Sequence, residues 1–312
     1  MHPIKRSRPY RLMYQEALLA RTSPINRNYL LIKEKVRRRS AGFAGEIQFD
    51  RACSEYAADT LFKVVPDFNK QGHQIDGICI FPSFIVLVEV KNIRGLIQMD
   101  GQKRQFTRTL NGIVTGMANP DDQLYRHEKL MRRLIGEKIP IIGIAIFTNT
   151  SAILEIKNIK RRVIHLSGLP FVLDELISNF RKSDKIDIDY YYEQILSLQP
   201  PLQTPAPPAI SYPLLEGVFC TYCPGSKMNY SRSFWRCPAC LYKTKDAHLV
   251  ALQDYRLLVG PTISNREFRK FTGIQSRTNA WTILQNCNFQ TIGNQKSLRY
   301  VIPEMDLRRN LE

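Results

Sequence analysis

Apolar positions along this chain fall into short runs and one-sided stripes. Phe84-Ile-Val-Leu-Val88 is a continuous apolar stretch, the pattern of a strand covered on both faces, and with its flanks it predicts an extended run from Phe84 to Val90. Gln74 to Phe81 reads as a preceding strand, and Pro140-Ile-Ile-Gly-Ile-Ala-Ile-Phe147 as another buried one. Between them Pro120 opens a helix that runs through Leu124, Leu130, Met131 and Leu134. Upstream, a basic helix-like arm to about Ser40 leads through Gly42-Phe-Ala-Gly45-Glu46 into a helical stretch ending near Leu61. Further short strands follow a turn at Arg94-Gly95. Strands and helices alternate, so the first half reads as α/β.

The proline-dense stretch Gln199-Pro-Pro-Leu-Gln-Thr-Pro-Ala-Pro-Pro-Ala209 suits an extended linker and cuts the chain near residue 200. Beyond it, Thr262 to Pro303 has the punctuation of a small winged helix-turn-helix. Ser264 can cap one helix, Thr272-Gly273-Ile274 makes the turn, and Ser276 can cap a second helix from Arg277 to about Cys287 with Ala280, Ile283 and Leu284 inward. Phe289 to Ile302, broken at Gly293-Asn294, reads as the wing hairpin. The expected organisation is a basic arm (1–40), an α/β domain (41–198), a linker (199–213), a cysteine-bearing module (214–248) and a winged-helix-like region (249–312).

Charge adds a partner to this outline. Residues 1–40 carry 11 Lys and Arg against 2 acids, residues 41–213 carry 20 against 19, and residues 214–312 carry 14 against 7, so the net charge of +17 sits at the two ends. Basic flanks around a near-neutral middle suit a polyanion, DNA or RNA; a merely soluble basic surface is the alternative. Arg37, Arg38 and Arg39 on the arm, Arg277, Asn279 and Gln285 on the second helix, and Lys296 and Arg299 on the wing are the candidate contacts. Among the 312 residues no run approaches the roughly 18 apolar residues of a membrane span, and Leu12 to Ala20 is interrupted by Tyr14, Gln15 and Glu16. A cytoplasmic location, nucleoid-associated or not, is therefore expected, with no membrane partner.

Four of the seven cysteines form two Cys-x-x-Cys pairs, Cys220/Cys223 and Cys237/Cys240, separated by thirteen residues. Each pair is a knuckle that lets two thiolates converge on one tetrahedral Zn²⁺, and Tyr230, Phe234 and Trp235 between them suit the hairpin of a zinc ribbon. Four thiolates close such a site, so the zinc would be structural. Cys53, Cys79 and Cys287 read as small buried hydrophobes.

The candidate chemistry lies where the strands end. Glu89-Val-Lys91 closes the apolar strand and Asp76 stands near the start of the preceding one. Residues 89 and 91 share a face. Two carboxylates at a strand pair offer hard oxygens for Mg²⁺ or Mn²⁺, and an ammonium beside them can steer water or offset phosphate charge; a solvated strand end would look the same in isolation.

The companions of this motif narrow the choice. Gly45-Glu46, Ile75-Asp76-Gly77, Val88-Glu89-Val-Lys91-Asn92 followed by Gly95, and Asn119-Pro120-Asp-Asp-Gln123 come in an order and spacing that resembles the NERD (nuclease-related) domain of the PD-(D/E)XK nuclease superfamily over roughly residues 41–150. The resemblance implies a restriction-endonuclease-like core, a mixed sheet flanked by helices. It also implies that Asp76 and Glu89 hold the metal, that Lys91 acts on the attacking water, that Glu46 contributes from the head of a helix, and that Gln123 supports the site. His73 and Asn92 lie beside it. The expected activity is metal-dependent hydrolysis of DNA, DNA being favoured over RNA, with a homodimer possible. A catalytically silent domain used as a docking platform is the alternative.

Overall fold

The computed structural model describes residue 4 and residues 6–58, 60–200 and 205–307, with the backbone alone at Lys296; residues 201–204 of the proline-dense stretch lie outside the description. The chain forms two compact units, Met1–Ser7 with Ser40–Gln203, and Arg8–Arg39 with Thr204–Glu312. The stretch 1–40, expected as a single arm, is thus shared between them. It contains α1 (Tyr10–Arg21) and the first part of α2 (Tyr29–Tyr56), a continuous helix.

Gly42 and Gly45 do not open a helix as expected, because α2 runs through both. Glycine inside a helix costs about 0.5–1 kcal/mol relative to alanine, so a close approach should justify it. At Gly45 it does: a Cβ there would lie 2.7 Å from Asn92 Cβ and 2.8 Å from Thr148 Oγ1. The helix backbone is pressed against two loops that follow strands.

The first unit contains β1 (Lys63–Lys70), β2 (His73–Ile80), β3 (Ile85–Lys91), β4 (Gly95–Asp100), β5 (Gln105–Leu110), β6 (Ile113–Gly116), α3 (Pro120–Ile135), β7 (Ile141–Phe147), β8 (Ala152–Lys157), β9 (Arg162–His165), α4 (Leu169–Asn179) and α5 (Ile188–Leu198). Its main sheet has the order β1-β2-β3-β7-β9. β1, β2 and β3 pair antiparallel, whereas β3, β7 and β9 pair parallel. The fold is therefore mixed α/β. Ile85 to Val90 are all buried, as a strand between two layers requires. One face packs Val86, Val88 and Ile146 against Phe49 and Cys53 of α2 and Leu169, Leu173 and Leu176 of α4. The other packs Ile85, Leu87 and Ala145 against Leu124, Leu130 and Met131 of α3 and Ile195 of α5. A second sheet, β6-β5-β4-β8, encloses Ile97, Met99 and Phe106.

The second unit adds β10 (Asn229–Ser231), β11 (Phe234–Arg236), β12 (Lys243–Thr244), α6 (Ala247–Leu258), β13 (Thr262–Ile263), α7 (Asn265–Thr272), α8 (Arg277–Asn286), β14 (Thr291–Ile292) and β15 (Arg299–Val301). Ser264 and Glu267 form a capping box on α7, Gly273 (φ 78°) ends it, and Ser276 caps α8. The short strands order as β13-β15-β14. The segments expected as separate modules, 214–248 and 249–312, bury one shared core: Val218, Met228 and Trp235 lie with Ala251, Tyr255, Phe268, Ile283 and Leu284. Met13 and Ala17 of α1 join Leu257 and Leu258 of α6. Arg21 of α1 is itself buried, its Nε on Asp254 at 2.7 Å and its Nη1 on the carbonyls of Leu215 and Gly217. Phe219 and Phe271 cover its guanidinium at 4.8 and 4.4 Å.

Candidate functional site

The β2–β3 hairpin delivers three of the expected site residues to one place. Its last registered pair is Gly77↔Val88; one step further the Val90 N–H donates to Asp76 Oδ2 at 2.7 Å, so a carboxylate takes over from the ladder. Glu89 is 5% exposed and follows the apolar run Ile85 to Val88 on the same strand. Lys91 Nζ donates to Glu89 Oε1 at 2.5 Å and to Gln123 Oε1 at 3.1 Å. Gln123 arrives from the first turn of α3, which Asn119 caps and Pro120 opens. Burial, followed by the negative charge of Glu89, pushes the Asp76 carboxyl well above the usual carboxylate range, against the pull of the Val90 N–H.

Glu46 is placed differently. Its Oε2 accepts from Arg6 Nη1 at 3.2 Å, and Arg6 was no part of the expected site. The Arg6 side chain has no exposed surface; its Nε and Nη2 clasp Asp50 at 2.7 and 2.9 Å, Nη1 also reaches Asp67 Oδ1 at 2.7 Å, and Nη2 reaches the Asp76 carbonyl at 2.7 Å. Burial works against the guanidinium charge, but the bond to Asp50 and the charges of Asp67 and Glu46 outweigh it and raise its pKa. Burial pushes Glu46 up to about 7, with Asp67 and Asp50 adding and Arg6 opposing. Asp67 holds a left-handed φ of 50°, unusual outside glycine, with its carboxylate fastened to Arg6. Sequence patterning could not reveal Arg6, since an arginine in a basic terminal run reads as a solvated charge.

Two histidines adjoin the group. His73 and His127 meet edge to face at 5.4 Å, and burial, then the charges of His73, Arg126 and Lys91, lower His127 to about 4. His127 lies one helical turn beyond Gln123 on α3, a relation the sequence reading did not use. Asn92 donates to the Ala41 carbonyl at 2.8 Å and accepts from Asn149 at 3.1 Å, tying the end of β3 to α2 and to the loop after β7. A separate open groove of about 960 Å³ is lined by Gln48, Arg51, Asn92, Thr148, Asn149 and His165 among others, on the α2 side of the sheet, and Asp76, Glu89, Lys91 and Gln123 are not among its lining residues.

The donor chemistry suits a divalent cation, because an enclosed carboxylate raised by its neighbour's charge is what a hard cation stabilises. Asp76 and Glu89 are the residues that could hold it. Among the described residues, the cysteines are the one group of three or more His, Cys, Asp or Glu with converging ligand atoms: Cys220, Cys223, Cys237 and Cys240 lie within 4.8 Å of one another. A tetrahedral zinc with Zn–S bonds of about 2.3 Å sets its sulfurs roughly 3.8 Å apart, and Cys220 and Cys240 Sγ stand 3.7 Å apart. Without a metal the thiols act on one another: the Ser226 hydroxyl and the Cys240 and Ala239 N–H groups draw Cys237 down to about 6, while Cys240 pushes Cys223 up to about 12 and burial raises Cys220. This cluster is compatible with structural zinc.

The expected nucleic-acid contacts are scattered. Arg37 and Arg38 are exposed and both bond Glu34 at 2.7 Å; with Arg39 they are consecutive on a helix and so point in different directions. Arg277 and Asn279 are exposed on the first turn of α8. Gln285 Nε2 is engaged with Tyr300 Oη at 3.0 Å. Arg299 has partners of its own: it bonds Thr262 Oγ1 and O at 3.0 Å each and Glu267 at 2.9 Å, bracing β15 on β13 and α7, with its side chain 36% exposed. Lys296 lies in a 3₁₀ turn and its side chain is outside the description. Trp281 of α8, unremarked in the sequence, is 53% exposed.

Comparison with known proteins gives a match of residues 41–148 to the family model "Nuclease-related domain". No curated protein matches the chain. Among solved structures, the small subunit (R.BspD6I2) of the heterodimeric restriction endonuclease R.BspD6I is similar at 12% identity, over 61% of this chain and 88% of that one, with a TM-score of 0.25.

Proposed function

We propose that the chain, whose residues 41–148 match the nuclease-related domain model, is a divalent-metal-dependent nuclease of the PD-(D/E)XK type that hydrolyses DNA phosphodiester bonds. The observation that carries this reading is the Lys91 ammonium, shared by Glu89 and Gln123 next to the enclosed Asp76 carboxylate. Asp76 and Glu89 would hold Mg²⁺ or Mn²⁺, which when bound would polarise the phosphate and acidify water. Lys91, its position fixed by two acceptors, would orient the attacking water and offset charge gathering on the phosphate. The water oxygen would attack phosphorus as it gives up a proton to surrounding water, the opposite P–O ester bond would break, and the departing oxygen would take a proton from surrounding water. Gln123 keeps Lys91 from collapsing onto Glu89 alone.

The second unit would hold the nucleic acid. Helix, strand, two helices and a hairpin from α6 to β15 support a winged-helix reading, with Arg277 and Asn279 on the exposed end of α8, and the cysteine cluster supports a zinc ribbon packed on the same core. A silent docking platform has one observation in its favour, the pairing of Glu46 with Arg6.

One experiment decides. Purified protein is incubated with linear duplex, single-stranded and supercoiled DNA in Mg²⁺, Mn²⁺ or EDTA, beside a Glu89→Ala, Lys91→Ala double variant that retains zinc. Cleavage that needs the metal and disappears in the variant is expected. Salt-sensitive binding without cutting, equal in both proteins, would refute the hydrolase and leave the platform.

A further inference from the structure

The cysteine module exposes apolar rings that its own fold does not need. Trp235 is buried in the core, whereas Tyr222 is 58%, Leu241 60% and Tyr242 36% exposed. Tyr222 and Tyr242 meet edge to face with centroids 4.7 Å apart. Both are anchored to the cysteine knuckles: the Tyr222 N–H donates to Cys220 Sγ at 3.4 Å, and the Tyr242 carbonyl accepts from the Cys237 N–H at 2.9 Å. Between them Leu241 is held at a left-handed φ of 61°, an unusual setting for a bulky residue, with its N–H on the Cys237 carbonyl at 3.1 Å. The pair is therefore a rigid aromatic corner, ordered before any ligand arrives.

Its surroundings specify the ligand's charge. From Gly217 to Lys245 there is no Asp or Glu, while Lys227, Arg232, Arg236, Lys243 and Lys245 are all exposed. Lys243 and Lys245 lay their ammonium groups over the Phe234 ring at 3.8 and 5.4 Å, which holds them at the surface of the module. Exposed rings among a local excess of cations, with Glu216 and Asp246 at the two edges of the stretch, fit a polyanion that also offers flat apolar faces. In a duplex those faces are already stacked on one another, so a protein ring reaches them in an unpaired strand.

We infer that Tyr222 and Tyr242 form a base-stacking site for single-stranded nucleic acid, with the surrounding lysines and arginines taking its backbone. This rests on the reading of the second unit as the nucleic-acid-binding part, and it adds the form of strand bound there. A nuclease so equipped would engage frayed ends, gaps or displaced strands.

The test uses the full zinc-loaded chain without Mg²⁺ or Mn²⁺, so that nothing is cut. Fluorescence anisotropy compares a labelled oligothymidylate, an abasic strand with the same number of phosphates, and a duplex of the same length. The wild type should bind the base-bearing strand about tenfold or more tighter than the abasic strand, since stacking on each aromatic is worth that much. Equal affinity for the two would overturn the proposal without reference to any variant. Tyr222→Ala with Tyr242→Ala should lose that preference and leave duplex and abasic binding within about twofold, while Tyr222→Phe with Tyr242→Phe keeps it, because the ring and not the hydroxyl does the stacking. Uniform weakening on all three ligands, or none on any, would refute the stacking site. A wild type that binds none of the three at low salt would instead remove the nucleic-acid reading of the unit.

Discussion

Arg6→Ala removes the cation that, among the described residues, pairs with Glu46, Asp50 and Asp67 in the first unit's ion network. The wild-type guanidinium has no exposed surface and donates to Asp50 twice, to Asp67, to Glu46 and to the Asp76 carbonyl. Alanine leaves three carboxylates facing a void, with Asp50 only 5% exposed. Removing one partner of a buried ion pair costs about 3–5 kcal/mol. For a unit of this size that lowers the melting temperature by roughly 10 °C. Arg6→Lys keeps the charge but cannot grip both Asp50 oxygens and the Asp76 carbonyl together, so a loss of about 1–3 kcal/mol is expected. Calorimetry suits the measurement, because both tryptophans, Trp235 and Trp281, lie in the other unit and their fluorescence stays unchanged while the first unit's transition moves. Metal-dependent cleavage by the lysine variant should fall about tenfold or more in kcat with KM little altered, as expected when a positioning contact is loosened and binding is not. An alanine variant that melts with the wild type, or a lysine variant of full activity, would refute the view that Arg6 braces Glu46 and the Asp76 backbone.

Three other outcomes are expected. Elemental analysis should find one zinc per chain, and Cys237→Ser should lose it together with the cooperative Trp fluorescence transition, since metal binding on the order of 10 kcal/mol rivals the stability of a whole domain. Burial holds His248 down at about 4, so below its ordinary value of about 6.5 the unfolded chain takes up a proton that the folded one resists; stability present above that pH is lost as pH falls from about 6.5 toward 4, by up to roughly 3 kcal/mol. Urea midpoints of wild type and His248→Phe, followed by Trp fluorescence, should therefore diverge in pH dependence across that window, and parallel curves would count against the assignment. Gly45→Ala should destabilise by about 1–3 kcal/mol through its contacts with Asn92 and Thr148, whereas Gly42→Ala, which meets nothing within 4 Å, should stabilise α2 by about 0.5–1 kcal/mol; denaturant midpoints of the same sign would refute the packing argument.

The contrast between the two glycines shows what linear patterning can and cannot carry. β3 was legible because a strand covered on both faces needs a continuous apolar run, here Ile85 to Val88, and α3 because Asn119-Pro120 is a local start signal. Ser264 and Ser276 marked the starts of α7 and α8 for the same local reason. The continuity of α2 through residues 42–46 was not legible, since a helix and a helix start look alike when the glycines serve a distant contact. Nor was Arg6, whose partners lie 40 to 70 residues away. The partners of Arg299 were hidden for a related reason: the Thr262 carbonyl and Glu267 that it bonds stand more than 30 residues before it.

The hairpin β2–β3 has a consequence for how this site can change over generations. Asp76, Glu89 and Lys91 all ride on it, and their relative position follows from the antiparallel pairing that ends at Gly77↔Val88. Lengthening the turn at Pro82-Ser83 leaves that pairing intact, so the connection is free to drift. One residue inserted in β3 ahead of Glu89 would instead carry Glu89 and Lys91 together to the other face of the sheet, because side chains alternate along a strand. The heritable unit is thus a register, and substitutions that spare it can remodel the surroundings while the three groups stay together.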